Sequence, residues 1–334
     1  MADVARHAGV AIGTVSNTLN NPDKVSESTR RRVLASIAEL GFVRNDAARS
    51  LAAGSSTTVG LVLADLDNSF FVDIARGAES LLRQHGMNLL IANTDVDPAR
   101  EQRNLELFEE SRVAGILIAP TPWVAPRLPA VRSTPLVYVN AEPIDALHSG
   151  VVVDERQGGY LAARHLIDLG RTRLAFVGGP FLLNAVAARH EGALRAVAES
   201  TGVTLETIET RGVNIPHGRQ AARDIVDGGA GRFDGVVAAS DLLAIGCIQV
   251  FDEQPGFNVP ADLAITGYDN NHFVSESATP VSTIAQPGEE MGRVAAQMLI
   301  NQIVEPGTAL PRTVALVPHL IARRSTLGEA WRRD

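Results

Sequence analysis

Apolar positions divide the chain into two regimes. Over residues 1–45 they recur at helical spacing. The pattern predicts a short helix over 3–8 stopped by Gly9, and a second over 13–19 with Val15 and Leu19 one turn apart. Asn20-Asn21-Pro22-Asp23 has the chemistry of a loop. Ser26 then reads as the N-cap of a third helix, with Glu27 in its first turn, Val33, Leu34, Ile37 and Leu40 on one face, and Gly41 as its stop. From Thr58 onward, short continuous apolar runs alternate with amphipathic stretches. The runs TVGLVLAD, NLLIANT, AGILIAP, PLVYVN, GVVVD, RLAFVGG, DGVVAAS, LAITGYD, VSTIA and TVALVP predict strands buried on both faces of a parallel sheet. Helices are predicted over 71–85, 100–112, 157–169, 185–200, 218–226, 242–251 and 288–303. Repeated βα units of this length predict a doubly wound α/β core, in two lobes. Ligands in such sheets bind outside the carboxyl ends of the strands, which directs attention to the residues just after each run.

Between the regimes, residues 46–57 are rich in Ala, Ser and Gly and read as a hinge that is helical in one state and loose in another. Charge sharpens the division. The chain carries a net -8, yet residues 1–56 hold seven Lys and Arg against five acids, a net +2 that leaves -10 for the rest. The N-terminal part is thus the one suited to an anionic partner. The single cysteine, Cys247, excludes an intramolecular disulfide framework and sits in an apolar run as a core residue. The opening MADVARHA has no apolar signal region, and no run reaches the roughly 18 apolar residues of a membrane span. A cytoplasmic protein without membrane contact is expected. No G-x-G-x-x-G, Walker loop, G-x-S-x-G or metal-spaced His/Cys set is present, so no catalytic residue, metal or cofactor is expected.

A short helix, a Gly-containing turn and a second, polar-faced helix make a helix-turn-helix, whose second helix enters the major groove of DNA. The face offered to base edges is Ile12, Gly13, Thr14, Ser16, Asn17 and Asn20. Lys24, Ser26, Thr29 and the run Arg30, Arg31 and Arg32 are placed for phosphates. This local pattern alone also describes a generic three-helix interaction module.

The order D-V-A, A-G-V, T-V-S, L-N, V-S-x-x-T-R, V-L, E-L-G-F, N-x-x-A-R-S-L resembles the headpiece and hinge of the LacI/GalR family. The resemblance continues through VGLVLADLDNSFF, GILIAPT, VVVDERQGGYLAARHLIDLG, SDLLAIG, AITGYDN and STIAQPGEEMG to Arg324-Ser325-Thr326. It implies an all-α helix-turn-helix headpiece (1–45), a hinge (46–57) and a two-lobed, periplasmic-binding-protein-like α/β core with parallel sheets (58–334). Lobe one would take residues 58–150 and 286–311 and lobe two 151–285 and 312–334, with crossovers near Gly150, Ala285 and Pro311. The implied function is ligand-responsive repression by a homodimer on a near-palindromic double-stranded operator. In the hinge, Arg49, Leu51 and Ala52 would meet DNA, Leu51 wedging into the minor groove with Ala52 behind it. Asn17 departs from the arginine common in the family, and Ile12 and Gly13 stand where bases are usually chosen.

The same resemblance places effector contacts at Phe70, Phe71, Asn140, Arg189, Ser240, Asp241, Asp269 and Gln286. Carboxylate, guanidinium and amide beside an aromatic wall suit a sugar or related polyol. Val213, standing where some relatives stack an aromatic on the ligand, favours such a ligand over a purine. Packing alternatives remain: Asp241 as a helix cap, Arg189 as a surface residue, Asp269 and Asn270 as turn residues, Phe71 as core. Two other classes share this scaffold, a sugar-binding transport component and a sugar-metabolising enzyme; the headpiece and the missing catalytic motifs speak against them. Family members usually carry a few residues before the D-V-A helix, including a capping threonine; here Met1 and Ala2 precede Asp3 directly, and a native start upstream is expected.

If Leu51 kinks only the specific complex, Leu51→Ala weakens operator binding about tenfold or more. Binding to random DNA and the salt slope stay unchanged, because no phosphate contact is lost. Equal losses on both DNAs in filter-binding titrations would refute the wedge.

Overall fold

In the computed structural model, which describes residues 1–42, 56–121, 134–229, 231–308 and 310–332, the chain divides into two units, Met1–Ser56 and Thr57–Asp334. The first is built on α1 (Ala2–Ala8), α2 (Ile12–Asn20) and α3 (Glu27–Glu39). Gly9 ends α1 at φ 62°, and its amide bonds back to the carbonyls of the last turn. Ser26 caps α3, its hydroxyl accepting from the Thr29 amide. The core is small: Val4, Ala5, Ala8, Val15 and Val33, with Val10, Leu19, Ile37 and Phe42 packed around it.

Two leucines expected in that core are outside it. Leu34 and Leu40 are 43% and 44% exposed. Leu34 lies about 100° round the helix from Val33. The turn facing α1 instead buries Ser36, whose hydroxyl meets His7 Nδ1 at 3.0 Å. Leu40 is the C-cap residue, and Phe42 fills the place expected for it.

The second unit holds two six-stranded sheets. The first comprises β1 (Thr58–Leu63), β2 (Asn88–Asn93), β3 (Gly115–Ile118), β4 (Leu136–Val139), β5 (Ser149–Val153) and β11 (Thr313–Leu316). Its order is 2-1-3-4-5-11, parallel throughout. The second comprises β6 (Arg173–Gly178), β7 (Thr204–Glu209), β8 (Gly235–Ala238), β9 (Ala264–Asp269), β10 (Ser282–Ala285) and β12 (His319–Ile321). Its order is 7-6-8-9-10-12, with only β12 antiparallel. The helices are α4 (Ser69–Gln84), α5 (Pro98–Glu110), α6 (Glu155–Asp168), α7 (Asn184–Ala198), α8 (Ile215–Asp227), α9 (Asp241–Asp252), α10 (Gly288–Val304) and the short α11 (Arg324–Leu327). Among the described residues, no helix is long and apolar enough to cross a membrane.

The chain crosses between lobes at Asp154, at Gln286–Pro287 and at Val317–Pro318. The second crossing lies beside the expected Ala285. The other two correct Gly150 and Pro311: β5 and β11 pair with each other in the first sheet, so that sheet keeps the chain as far as Val153 and Leu316. The strands β7 and β12 were not anticipated. β7, TLETIE, is a largely exposed edge, and β12 has three residues. The run NLLIANT is a strand but not a buried one: β2 is an edge, and Leu90 and Ile91 are each 49% exposed.

In the central strands, successive residues serve opposite layers. Leu61 and Leu63 join the core under α4 and α10, while Val62 joins Leu105 and Phe108 of α5. Three helix pairs cross at reciprocal glycines. A methyl on Gly77 of α4 would fall 1.9 Å from the Glu289 carbonyl oxygen, and one on Gly292 of α10 1.9 Å from that of Ile74. Gly159 of α6 meets Arg189 of α7 in the same way, and Gly218 of α8 meets Leu243 of α9. The helices approach until backbone touches backbone. Gly77→Ala should therefore cost about 1–3 kcal/mol of stability, the usual range for overpacking. An unchanged urea midpoint would mean that α4 and α10 can slide apart freely.

Candidate functional site

The headpiece presents α2 as a polar-faced helix. Val15 and Thr18 point inward, and Thr18 Oγ1 donates to the Thr14 carbonyl. Ile12, 54% exposed, together with Gly13, Asn17 and Asn20, forms the outer face; Thr14 and Ser16 are half-buried beside it. Asn20 Nδ2 donates to Ser16 Oγ at 3.3 Å. Lys24 is exposed next to the Ser26 cap, and the Ser26 hydroxyl donates to Thr29 Oγ1 at 2.9 Å. Arg30 and Arg31 lie within 4 Å of Glu27 in exposed pairs that bind either side chain only weakly. Arg49, Leu51 and Ala52 lie outside the described residues.

In the core, both sheets have the strand order whose switch point, between β1 and β3 and between β6 and β8, opens a crevice at the carboxyl ends of the strands. Arg189 sits at the second of these points. It is 7% exposed, and its NH1 donates to the Ala239 carbonyl just past β8 at 2.7 Å. Nε and NH2 donate to the two carboxylate oxygens of Glu155 at 2.7 and 3.0 Å. NH2 also stands 3.6 Å from Asp269 Oδ1, and the guanidinium lies 3.6 Å from the centroid of the Tyr268 ring. Gly158 and Gly159 make this possible. A methyl on Gly158 would strike the Tyr268 hydroxyl, and one on Gly159 the Arg189 backbone. Burial alone would favour losing the proton, but Glu155 and Asp269 overcome it and hold the Arg189 pKa above its ordinary value.

Asp269 ends β9 in a left-handed conformation, φ 104°, followed by Asn270 at φ 58°. Turning there carries its carboxylate toward both lobes. Oδ1 accepts from Gln286 Nε2 at 2.7 Å, and Oδ2 accepts from Asn68 Nδ2 of the first lobe at 2.8 Å. Further contacts cross beside it: the His272 amide donates to Ser69 Oγ at 2.9 Å, and His272 Nε2 lies 2.9 Å from Asp73 Oδ1. Arg189, Asp269 and Gln286 are thus brought together as the sequence predicted.

The other expected contacts take varied places. Phe70 is buried in the first-lobe core, while Phe71 is half-buried against it. The Ser240 hydroxyl caps α9, accepting from the Leu243 amide, and donates to the Val213 carbonyl at 2.8 Å. Asp241 is wholly buried, and its Oδ2 accepts from the Asn271 amide at 2.6 Å. It braces the loop behind the cleft wall; the cap is Ser240. Asn140 stands at the end of β4 with φ 57°, its amide bonded to the Val151 carbonyl and its side chain half-buried. Cys247 is buried, its thiol donating to the Gly218 carbonyl and its pKa pushed up to about 12 by burial.

The LacI family model, described as bacterial regulatory proteins, matches residues 1–45, and a periplasmic binding protein-like domain matches 163–326. The ribose operon repressor of Escherichia coli K12 is 32% identical, over 97% of this chain and 99% of its own length. That of Bacillus subtilis is 33% identical over 98% of each. The chain belongs to the LacI family of bacterial regulators. A LacI family regulator of Enterococcus faecium, solved with bound ribose, superposes with a TM-score of 0.68 at 27% identity, over 80% of this chain and 97% of that one. The helix-turn-helix headpiece and two-lobed core expected from the sequence are therefore this family's architecture, and its members are regulators, not enzymes.

Sequence reasoning missed Glu155, Asn68, Asn271 and His272. Glu155 follows Asp154, which caps α6, and so resembled an ordinary first-turn acid. Its partner lies 34 residues away.

Burial, then the neighbouring Asp269, raises the Asp241 pKa well above the usual carboxylate value. A carboxyl protonated more readily when folded than unfolded contributes most at low pH. Its contribution is lost as pH rises from about 4 through the native pKa, at roughly 1.4 kcal/mol per pH unit. Asp241→Asn keeps an acceptor for the Asn271 amide without the ionisation. It should be more stable than the parent at pH 7, by a margin that shrinks toward pH 4. Parallel stability–pH curves for the two proteins would contradict this assignment.

Proposed function

We propose that this chain is a ligand-responsive repressor: its dimer binds a near-palindromic operator in the cytoplasm, and its cleft takes ribose or a closely related sugar. The observation that carries the effector assignment is the Arg189–Asp269 pair at the switch point, with Asn68 and Gln286 on the same carboxylate. Adjacent hydroxyls on a sugar ring match such a mix of donors and acceptors, and Phe71 supplies apolar surface nearby. The naming of relatives at 32–33% identity for the ribose operon supports the choice of sugar. The headpiece would lay α2 in the major groove. Asn17 and Asn20 are able to pair with bases, Ile12 to contact a thymine methyl, and Lys24, Ser26 and Thr29 to reach phosphates. Arg49, Leu51 and Ala52 would complete the contact from the hinge.

Asn68 and Asp269 join the lobes, so a ligand held by Asp269 changes the free energy of closing the cleft. Repression responds only through the ligand's unequal affinity for the two core arrangements. Asp269→Asn, which keeps shape and tolerates the left-handed backbone, should lower ribose affinity about tenfold or more, the worth of a charged hydrogen bond. Ligand-free affinity for an operator selected from random DNA should remain. Calorimetry with D-ribose beside gel-shift titration reads both; unchanged ribose affinity would remove Asp269 from the effector site.

A further inference from the structure

Arg189 is the buried cation of the cleft wall, yet its guanidinium is already engaged. Glu155 takes Nε and NH2 in a bidentate pair, the Ala239 carbonyl takes NH1, and Asp269 faces NH2. A phosphate or carboxylate binds arginine through the same two-pronged geometry that Glu155 occupies. An anion entering here would have to displace Glu155, then lie beside that carboxylate and the buried one of Asp269. The unused groups point the same way. Asn271 Oδ1 and Gln286 Oε1 are buried acceptors with no hydrogen-bond partner, although Gln286 Nε2 and the Asn271 side-chain amide are engaged. Buried acceptors call for donors, which hydroxyl groups supply and ionised phosphate oxygens do not.

We propose that Glu155 makes this cleft selective for an uncharged, hydroxyl-rich ligand over its phosphorylated or carboxylated counterpart, by occupying the guanidinium that an anion would need. This rests on reading the cleft as the effector site, and it deepens that reading to the charge class of the ligand. Glu155 touches no ligand in this scheme; it acts through Arg189. Other cations at this end of the second lobe do not replace it. Arg323 bonds the Val281 carbonyl and Asn270 Oδ1, and Arg211, on the loop after β7, is exposed rather than set into the wall.

The test pairs D-ribose with ribose 5-phosphate in calorimetric titrations of the full-length protein and of Glu155→Gln. The unaltered protein should bind ribose at least tenfold more tightly than ribose 5-phosphate, and the substitution should shrink that ratio at least tenfold by strengthening the phosphate ester. A merely structural Glu155 would weaken both ligands together and leave the ratio in place, which would overturn the proposal. So would ribose 5-phosphate binding the unaltered protein as tightly as ribose, a comparison that holds even if Glu155→Gln does not fold. If neither sugar binds the unaltered protein, the ribose assignment fails separately. The charge inference is then decided by thermal melts of the unaltered protein in paired neutral sugars and sugar phosphates, with inorganic phosphate as a further arm. Stabilisation by the neutral members alone supports it. Stabilisation by inorganic phosphate or a sugar phosphate, or by no neutral sugar, overturns it.

Discussion

A guanidinium almost sealed from water has to find its counter-charge inside the protein, and the second lobe is arranged so that Arg189 does. Leaving such an ion unpaired costs several kcal/mol, more than most single contacts return. The pairing depends on backbone proximity before it depends on charge. Gly159 lets α6 rest directly on the Arg189 backbone, and Gly158 gives the Tyr268 ring its place under the guanidinium. Glu155, in the first turn of α6, then reaches two nitrogens at once. A side chain larger than hydrogen at Gly159 would separate the helices, and the ion pair with them, while one at Gly158 would displace the Tyr268 ring. The small residues of ERQGGY and the charges of the cleft are therefore one feature.

The second consequence runs through Asp269. Its left-handed backbone aims one carboxylate at Arg189 in its own lobe, at Gln286 on the crossing and at Asn68 in the other lobe. The Asp269 pKa is raised because burial and the nearby Glu155 outweigh the pull of Arg189 and the amides. A site so short of compensating charge is sensitive to what enters it. A hydroxyl donating to Asp269 would relieve the carboxylate and at the same time compete with a lobe-to-lobe hydrogen bond. On the proposed reading, ligand binding and lobe closure would be coupled at this atom, with no need for a longer pathway.

Much of this was legible in the sequence, and the failures share a cause. Central strands announced themselves because burial on both faces makes their runs continuous. β7 and β12 did not, since edges lack that signature, and NLLIANT looked buried though Leu90 and Ile91 are exposed and only Leu89 packs on the core. Strand-end positions were singled out for the cleft, but position alone does not separate a ligand contact from a helix cap or a brace. Ser240 and Asp241 share such a place with Arg189's partner carbonyl at Ala239, and both turned inward. Phe70 and Phe71 are neighbours on one helix, and the 100° between them sends the first into the core. Glu155 was invisible for the opposite reason: its meaning lies in a helix crossing that no local pattern encodes.

The headpiece is governed by the reverse balance. Five buried apolar residues with four partly buried apolar neighbours make a core too small to hold many constraints, so its helix ends carry more of the specification. Gly9 stops α1, and Ser26 with Thr29 fixes the start of α3. That same hydroxyl pair lies next to Lys24, on the side proposed for phosphates. A group used to cap a helix is held in one orientation before any partner arrives, so contacting DNA through it requires little further ordering. The outer face of α2 is different. Ile12 and Gly13 offer shape without hydrogen bonds, and Asn17 and Asn20 are short and neutral, so readout there depends on close approach rather than on long-range attraction. With only a small positive excess over residues 1–56 and an acidic remainder, the protein has little general affinity for polyanions to fall back on. On the proposed reading, discrimination between operator and other DNA then rests on the fit of the α2 face.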